Sequence, residues 1–403
     1  MTASQLRPTG LTGEVLEKTL RYARERDYTG WDYGDGMSSR LLQALPVENK
    51  WLNIAVQETI KRAPVNVRPL FLVEQRRNYK GTALFTMANL TAHELGLGEV
   101  TGVDYEREAR ALAEWLVEER TPGYAGFCGA HRHEIQHLDK KGLPSWPDMV
   151  STSYAVRALL AAHDAGLDTG EADYSETVRS VADFIDEDLD YEEIEEGARM
   201  KYVPTWSNEH YTLNAVALGG VTLLELGARF GGDHRERGEK LLDYVVSRQQ
   251  PEGGWMYRDP PSASHLSMDS HHNGFVIESL LRHRELTGSE RYADVLDDAL
   301  AFYRGDLFEA DGAPNWDESN GYPRDIHAAA QGIIVFSRAG EFAAAERVID
   351  WVLGALYAGN GKFRFRQERL FTKRVTLMRW CEAWMAYALA TYLDQRAASA
   401  TPR

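Results

Sequence analysis

The sequence predicts an all-α fold, an (α/α)6 toroid in which six helical hairpins close into a ring. Amphipathic helices alternate with helices that are apolar on almost every face, the apolar helices begin about 53 to 72 residues apart, and no strand-rich segment competes. Closing the ring lets each apolar helix bury its second face, which an open array leaves exposed at its ends. We assign the toroid to residues 47–395, with an N-terminal helix and glycine-rich loop (1–46) packed on it and a disordered tail at 396–403.

The predicted helices follow one another in pairs along the chain. Before the first pair, an amphipathic segment (12–26) precedes a glycine-rich loop (29–40) that is expected to be irregular and exposed. Each pair joins an outer helix, recognised by apolar residues at helical spacing, to an apolar inner helix. The pairs are 49–62 with 79–95, 105–119 with 152–164, 174–189 with 211–228, 235–249 with 273–286, 291–303 with 327–337, and 341–357 with 379–393.

Long loops rich in polar and aromatic residues precede the predicted inner helices. Because all inner helices of a closed toroid begin at the same end, these loops are expected to crowd around one mouth. A funnel-shaped pocket at that mouth is therefore the predicted functional site. The loops span residues 127–150, 202–210, 255–271, 311–327 and 363–379.

Composition excludes several classes of protein. A chain of 403 residues with 43% hydrophobic residues can bury a core, and its net charge of -16 without a basic stripe argues against a nucleic-acid partner. No apolar run of about 18 residues and no leader pattern occurs, so we expect no membrane span and a cytoplasmic location. Cys128 and Cys381 exclude a disulfide framework but leave one bridge or two free thiols open. The oligomeric state is not predicted.

An Asp-x-His pattern recurs at the start of predicted inner helices. A single copy is explained by an aspartate that caps the helix beside a histidine. Several copies at equivalent repeat positions instead predict that ionisable groups converge on one ligand, where carboxylates that share a pocket can become an acid and a base. The copies are Asp325 with His327, Asp269 with His271, and a variant, Asn208 with His210.

These patterns give two sets of candidate site residues. Glu382, in the last inner helix, joins the catalytic set, although a structural ion pair with Arg379 explains it equally well. Flat aromatic rings flanked by polar groups suit the apolar faces and hydroxyl rims of sugars, while loops that pack on their own aromatics are the alternative. The candidate catalytic residues are Asp325, Asp269, His327, His271 and Glu382. The candidate saccharide-binding residues are His210, Tyr211, His272, Trp206, Trp255, Trp316, Tyr322, Arg379 and Trp380.

The last part of the predicted mouth is locally basic in an acidic chain. Arginine binds carboxylates and sulfates through a planar fork, so a saccharide that contains uronic acid is indicated. A solvated run of surface charge is the competing interpretation. The residues concerned are Arg324, Arg364, Arg366, Arg369 and Arg379.

A cluster of potential metal ligands lies in the segment CGAHRHEIQH. The spacing is weaker than a paired Cys-x-x-Cys pattern, and no second group with matching spacing follows. We predict no cofactor and no metal, with a metal at this cluster as the alternative. The potential ligands are Cys128, His131, His133 and His137.

The chain resembles the six-hairpin toroids of carbohydrate-active proteins, which include sugar 2-epimerases, unsaturated glucuronyl hydrolases and the helical domains of uronate-polysaccharide epimerases and lyases. Four stretches are similar to an uncharacterised family associated with prokaryotic polysaccharide loci. The wider resemblance implies acid/base chemistry by groups of the lumen, here Asp269, Asp325 and His327. The four stretches are GWDYGDGMSSRLL, KRAPVNVRPLF, GYPRDIHAAAQGII and MRWCEAWMAYAL.

The expected function is therefore that of a glycan-processing enzyme, hydrolase-, lyase- or epimerase-like, acting on a saccharide. Two alternatives stay open. A protein that binds a glycan without chemistry would pair its lumen carboxylates with arginines and close its mouth. A terpenoid cyclase or prenyltransferase is suggested by QQPEGGW, which resembles the Gln-Trp motif of cyclases, and would need a pocket of mostly apolar aromatics with few histidines.

Overall fold

The computed structural model describes residues 10–46, 48–136, 141–169, 173–207 and 209–400. Two short 3-10 helices, Asp35–Ser38 and Pro261–Ala263, and two π-helices, Phe184–Asp188 and Met378–Ala383, accompany the α-helices. The α-helices are α1 (Gly10–Arg24), α2 (Arg40–Gln43), α3 (Lys50–Arg62), α4 (Tyr79–Glu94), α5 (Leu97–Thr101), α6 (Tyr105–Glu118), α7 (Met149–Asp164), α8 (Tyr174–Arg179), α9 (Val181–Asp183), α10 (Leu213–Phe230), α11 (His234–Val246), α12 (Ser270–Thr287), α13 (Ala293–Asp306), α14 (Ile326–Arg338), α15 (Phe342–Ala355) and α16 (Trp384–Ala400).

The strands of the described chain are two or three residues long and pair antiparallel in small sheets within the loops. One three-stranded sheet joins β9, β12 and β13 beside the start of α14, with Arg366 opposite Asp325. The other pairs are β1 with β2, β3 with β4, β5 with β6, β7 with β8, and β10 with β11. The strands are β1 (Thr29–Gly30), β2 (Arg76–Arg77), β3 (Ile135–Gln136), β4 (Lys141–Gly142), β5 (Glu192–Ile194), β6 (Gly197–Arg199), β7 (Tyr211–Thr212), β8 (Arg258–Asp259), β9 (Arg324–Asp325), β10 (Tyr357–Gly359), β11 (Lys362–Phe363), β12 (Arg366–Gln367) and β13 (Thr372–Lys373).

Six helices of the described chain form a closed inner ring. In sequence order α4, α7, α10, α12, α14 and α16 each pack on the next, and α16 packs back on α4. These helices are buried on nearly every face, as their apolar composition predicts. The predicted (α/α)6 toroid is thereby confirmed, because the contact between the first and last inner helices closes the ring.

Five of the six predicted outer helices lie in the outer layer of the toroid, and the first one does not. Helix α6 packs on α4, α8 on α7, α11 on α10, α13 on α12, and α15 on α14. The position beside α16 and α4 belongs to α1, whereas residues 49–62 had been assigned to it. The N-terminal helix is thus one of the twelve helices of the toroid in the described chain, rather than an addition packed on it.

The side chains explain this exchange of roles. Helix α1 buries an apolar face of Val15, Leu16 and Leu20. Helix α3 has helical periodicity too, but the residues that it buries include Asn53 and Gln57, while Trp51 and Leu52 are exposed. Apolar spacing alone could not distinguish a helix that packs on the ring from one that lies at its mouth.

Two further expectations about the termini need correction. The glycine-rich loop was expected to be exposed, yet Asp32 and Asp35 are 1% and 0% exposed, and Asp35 accepts hydrogen bonds of 2.9 Å from Nε of the buried Arg68. The loop therefore packs into the molecule. The tail predicted from residue 396 is helical as far as Ala400, where α16 ends, and residues 401–403 lie outside the described chain.

Polar side chains cap the inner helices at a common end of the ring. Asn78 caps α4, Asp148 caps α7, Asp269 caps α12 and Asp325 caps α14, each accepting a hydrogen bond from a backbone N–H of the first turn. These caps satisfy backbone donors that have no partner inside the helix. The same geometry gathers several carboxylates at the mouth of the toroid.

Helix α10 is long and apolar enough to cross a membrane by length and composition. In the toroid, 78% of its apolar window is buried, and it packs between α7, α11 and α12. Its apolar character is accounted for by its place in the inner ring.

Candidate functional site

A cavity of about 820 Å³ opens at the end of the toroid where the inner helices begin. Its size lies within the range of small-molecule sites. The loops that precede the inner helices supply most of its wall, as predicted, and α3 adds charged residues at its rim. The imidazoles of its wall are His131, His133, His265, His271, His272 and His327.

Asp269 holds two imidazoles at the start of α12. Its Oδ1 lies 3.0 Å from Nδ1 of His271, and its Oδ2 lies 2.8 Å from Nδ1 of His272. The carboxylate is 1% exposed and also caps the helix through the backbone N–H of His272, at 3.0 Å. Because an ionised carboxylate only accepts hydrogen bonds, each Nδ1 carries the proton and each Nε2 keeps a lone pair.

The charge states of this group follow from burial and from the short contacts. Burial works to raise the pKa of Asp269, but the adjacent His272 and His271 more than offset it, so the pKa is held below its usual range. Burial lowers the pKa of His272 to about 4, against a smaller opposing effect of Asp269. At neutral pH the group therefore consists of an ionised carboxylate beside a neutral His272, which can accept a proton.

Asp325 caps α14 and lines the cavity. Its Oδ1 accepts hydrogen bonds from the backbone N–H of His327 at 2.9 Å and from Nε1 of Trp380 at 2.8 Å. Burial raises the pKa of this carboxyl, with Arg366 as the largest opposing influence. Asp325 therefore resembles a proton donor more closely than Asp269 does.

His327 lies between aromatic rings with no hydrogen bond to either ring nitrogen within the described chain. Its ring stacks on Trp384 at 4.3 Å and lies 5.0 Å from the ring of His271, centroid to centroid. Burial lowers the pKa of His327 well below the ordinary value. Two buried nitrogens without partners are costly, so a ligand in the cavity is the natural source of their hydrogen bonds.

Aromatic rings form much of the remaining wall. Trp206, Trp316 and Trp380 line the cavity as predicted, and Tyr33 stacks on Trp380 at 4.5 Å. Trp255 does not line it: the ring is 1% exposed, and Nε1 donates to the carbonyl of Val245 at 2.8 Å. This tryptophan is a core residue, and the alternative of loops packing on their own aromatics was correct for it.

Three other predicted binding residues lie outside the cavity wall. Tyr211 is 5% exposed and packs on Tyr244, with its ring covered by Arg199 at 4.6 Å. Tyr322 is 38% exposed on the outside of its loop. His210 lies 6.0 Å from the ring of Trp206 without lining the cavity, and Asn208 lies outside the described residues.

Glu382 is placed away from the lumen, contrary to both explanations offered for it. It is 0% exposed, and its Oε1 accepts a hydrogen bond of 2.8 Å from the backbone N–H of Phe363. Burial raises its pKa well above the usual range, which favours the neutral carboxyl. The π-helix Met378–Ala383 changes the periodicity there, which a sequence count of one helical turn could not anticipate.

Arg379 lines the cavity but forms its ion pair with the glycine-rich loop. Its Nε donates to Oδ2 of Asp32 at 2.7 Å, and both side chains are buried. Of the other predicted basic residues, Arg366 lines the cavity, while Arg324, Arg364 and Arg369 do not.

Lys80 was not among the residues predicted from the sequence, and His131 and His133 were predicted only as potential metal ligands. Lys80 is 5% exposed in the cavity wall at the start of α4, and burial lowers its pKa to about 7. The sequence did contain a signal for Lys80, because lysine is rarely buried and this lysine lies in a helix predicted to be buried on most faces. Nε2 of His131 lies 3.7 Å from Asp148, and that of His133 lies 3.7 Å from Asp32.

Within the described residues the ligand geometry does not favour the predicted metal alternative. Cys128 and Cys381 are buried free thiols, and Cys128 donates to the carbonyl of Thr121 rather than joining the two histidines. His137 lies outside the described residues. A different group, Asp269, His271 and His272, offers ligand atoms within 4.8 Å of one another, as does an outer group of His163, Asp168 and Asp173.

The fold is similar to those of carbohydrate-active enzymes of known structure. A cellobiose 2-epimerase from Bacillus thermoamylovorans B4167 is 15% identical with a TM-score of 0.60, covering 79% of this chain and 88% of that one. A GH76 α-mannanase from Bacteroides thetaiotaomicron is 13% identical with a TM-score of 0.59, covering 80% and 88%. An unsaturated glucuronyl hydrolase specific for heparin is 13% identical with a TM-score of 0.58, covering 95% and 98%. At these identities the likeness establishes the shared toroid.

A scan against protein-family models finds no match, and no curated protein sequence matches the chain. The resemblance of four sequence stretches to one family therefore stays a prediction, while the fold is established by the solved structures.

Proposed function

We propose that this protein is a glycan-processing enzyme of hydrolase, lyase or epimerase type, and that within this group it removes a proton from a sugar carbon, as epimerases and lyases do. The observation that carries the proposal is Asp269 with the two imidazoles of His271 and His272. A carboxylate that holds Nδ1 of an imidazole fixes its tautomer and leaves Nε2 as a base. Both rings line the cavity.

The remaining polar groups support proton transfer better than hydrolysis by a carboxylate pair. Such hydrolysis needs two carboxyl groups free to flank the glycosidic bond. Asp325 lines the cavity and is a suitable acid, but the second inner-helix carboxylate there, Asp148, accepts from both the backbone N–H and the hydroxyl of Ser151, at 2.8 and 2.7 Å. We therefore assign His271 or His272 as the base and Asp325, with His327, as the group that returns the proton.

The wall of the cavity supports a saccharide as the substrate, and an acidic one in particular. Trp206, Trp316 and Trp380 offer flat apolar faces next to hydrogen-bonding groups. Five cationic side chains line the cavity against four carboxylates, and Lys80, with its lowered pKa, adds a partly neutral basic group, although the whole chain carries a net charge of -16. The cations are Lys61, Arg62, Arg366, Lys373 and Arg379, and the carboxylates are Glu58, Asp148, Asp325 and Glu368.

The two alternatives fit these observations less well. A glycan-binding protein without chemistry would have a closed mouth and lumen carboxylates paired with arginine, but the cavity is open and Asp269 is held by imidazoles. An isoprenoid enzyme would have a mostly apolar pocket, but the wall includes six histidines and ten formally charged side chains. The cytoplasmic location stays a prediction from the sequence.

The proposal is tested by proton exchange with solvent. Neutral and acidic oligosaccharides are incubated with the protein in D2O, and NMR measures deuterium uptake at sugar carbons, while ultraviolet absorbance detects a new double bond. We expect exchange or elimination with at least one acidic sugar, lowered about 10²- to 10⁴-fold by Asp269→Asn. Release of sugars without carbon-bound deuterium would instead indicate hydrolysis.

A matched control separates loss of the base from loss of a helix cap. Asp104 caps the outer helix α6 through the backbone N–H of Arg107 at 2.9 Å and lies outside the cavity wall. Asp104→Asn is expected to keep full exchange activity. Activity that disappears with EDTA and returns with added Zn²⁺ would show that Asp269, His271 and His272 act as metal ligands, and would contradict their assignment as an acid/base group.

A further inference from the structure

Lys80 is a buried amine in the wall of the cavity with no role in the proton transfer described above. It occupies the second position of α4, after the cap Asn78, and is 5% exposed. Within the described residues no carboxylate lies at ion-pairing distance from its Nζ. The charged and titratable groups that face it are Asp32, Asp148, Arg379, His131 and His327.

The surroundings of Lys80 disfavour its ammonium form. Burial removes hydration, Arg379 repels a second cation, and the N-terminus of a helix carries partial positive charge. Asp148 and Asp32 oppose these effects only in part, and the pKa of Lys80 falls to about 7. At neutral pH a large fraction of the side chain is therefore the free amine, the form in which lysine attacks a carbonyl carbon.

We propose that Lys80 binds the substrate covalently, by forming a reversible imine with the aldehyde or ketone group of an open-chain saccharide in the cavity. The identity of the ligand as a saccharide rests on the proposed function. In the forward step Nζ attacks the carbonyl carbon, a C–N bond forms, and the carbonyl oxygen leaves as water after taking up two protons from the amine. Hydrolysis of the imine returns the free carbonyl and the amine.

The groups around Lys80 can assist both the formation of the imine and the later removal of a proton from the neighbouring carbon. His131 and His327 lie close enough for Lys80 to influence their charge, and His327 has no hydrogen-bond partner in the described chain, so these imidazoles can relay protons during loss of water. When the imine nitrogen takes up one further proton from water, the protonated imine withdraws electrons from the neighbouring carbon, which makes the proton on that carbon easier to remove. The ring of His271 lies 5.0 Å from that of His327, so a base is close by.

The test traps the imine by reduction. The protein is incubated with cellobiose or glyceraldehyde and sodium cyanoborohydride, which reduces a C=N bond to a stable secondary amine, and mass spectrometry of peptides locates the adduct. We expect modification of Lys80 well before that of the other lysines, of which the chain has few. Methyl cellobioside, which has no free carbonyl, is expected to give no adduct.

The pH dependence separates Lys80 from an ordinary accessible amine. Labelling of Lys80 is expected to reach half its maximum near pH 7, whereas a lysine peptide labelled in the same mixture requires a pH of about 10. Lys80→Arg keeps a positive charge but cannot form an imine, and is expected to remove the early adduct. Lys240→Arg, outside the cavity wall, is expected to keep it.

The outcomes distinguish this inference from the proposed function. Deuterium exchange without an adduct at Lys80, or undiminished exchange in a folded Lys80→Arg protein, would overturn the imine and leave the proton-transfer proposal standing. An adduct at Lys80 without exchange in any sugar would support a carbonyl-binding site and overturn the proposed chemistry. Equal labelling of Lys80 and Lys61 at every pH would contradict a specialised role for Lys80.

Discussion

The two ends of the inner ring differ in how completely their buried polar side chains are paired. At the far end a second cavity, of about 570 Å³, is lined by arginines that each have a carboxylate partner, such as Arg157 with Glu278 at 2.8 Å and Arg338 with Glu285 at 2.8 Å. At the mouth, both ring nitrogens of His133 and His327 lack a hydrogen-bond partner in the described chain, and Lys80 lacks an ion pair there.

The direction of the inner helices explains this difference. Helix N-termini carry partial positive charge and favour carboxylates, while C-termini favour cations. Asp148, Asp269 and Asp325 accordingly cap helices at the mouth, and Arg338 and Arg229 lie in the last turns of α14 and α10 at the far end. The far end therefore pairs its charges and stabilises the ring, whereas burial at the mouth lowers the pKa of Lys80, His272 and His327 and so favours their neutral, reactive forms.

The largest expected effect comes from breaking the paired end. Glu278 is 0% exposed and binds Arg157, Gln331 at 3.0 Å and Tyr154 at 3.2 Å. Glu278→Ala leaves Arg157 buried with its principal partner removed, so we expect the free energy of unfolding to fall by about 3–5 kcal/mol. Urea denaturation measures this loss.

A variant that is equally stable without Glu278 would show that the far end does not hold the ring together. Sugar proton exchange, measured in the fraction that stays folded, is expected to survive the substitution because Glu278 does not line the mouth cavity.

Replacing an imidazole at the mouth should have the opposite outcome. His327→Phe retains the stacking on Trp384 and removes two buried nitrogens that lack partners. We expect stability to stay level or to rise by about 1 kcal/mol, while activity falls about 10²- to 10⁴-fold. Thermal unfolding and deuterium exchange measure the two effects.

His283→Phe is the matched control for this substitution. His283 is equally buried, and its Nε2, 3.4 Å from Glu239, likewise lacks a hydrogen-bond partner in the described chain, but it is not part of the cavity wall. This variant is expected to change stability as little as His327→Phe does and to keep activity. A large loss of stability in His327→Phe would contradict the view that the mouth is built for chemistry at the expense of stability.

The sequence predicts the mouth of the ring better than it predicts the far end. The mouth was accessible to sequence reasoning, because the pair of Asp269 and His271 and the pair of Asp325 and His327 repeat one motif at successive inner helices. The far end was not, because Arg157 and Glu278 are 121 residues apart and carry no common pattern. Lys80 was missed for a related reason, since a single lysine signals its role only through burial.

The ring itself could be predicted from the alternation of apolar and amphipathic helices. The sequence could not show that α1, rather than α3, occupies the first outer position. Both segments have helical spacing, and only the partner of each face distinguishes them. Trp255 and Trp316 illustrate the same limit within the site, because the loop path decides which ring enters the core and which lines the cavity.

The pH dependence of stability should also separate the two ends. The pKa of His272 is about 4 in the folded protein and about 6.5 in an unfolded chain, so the unfolded state binds more protons between these values. Stability is then complete above pH 6.5 and falls as the pH drops toward 4, by up to about 3 kcal/mol from this group.

Buried imidazoles elsewhere in the cavity wall, such as His327 and His133, act in the same direction. The pKa of Glu278 is lowered because Arg157 and Arg338 outweigh its burial, so its stabilisation is lost only below the ordinary carboxyl range. Chemical denaturation at pH 6.5 and 4.5 should therefore show a slope that His272→Gln reduces and Glu278→Gln keeps. An unchanged slope in His272→Gln would show that this imidazole is not held neutral.

The smallest expected effect concerns a buried carboxyl that belongs to neither end. Burial raises the pKa of Glu382 and favours its neutral form, and the side chain accepts one hydrogen bond from the backbone N–H of Phe363 at 2.8 Å, which the amide oxygen of glutamine can also accept. Glu382→Gln should therefore change stability by no more than about 0.5 kcal/mol and leave sugar proton exchange intact. Asp269→Asn replaces a carboxylate by an amide in the same way, but there the carboxylate holds two imidazoles, so activity should be lost. A large loss of activity in Glu382→Gln would mean that the last inner helix contributes an acid to the reaction, because neither a lost ion pair nor a lost hydrogen bond could account for it.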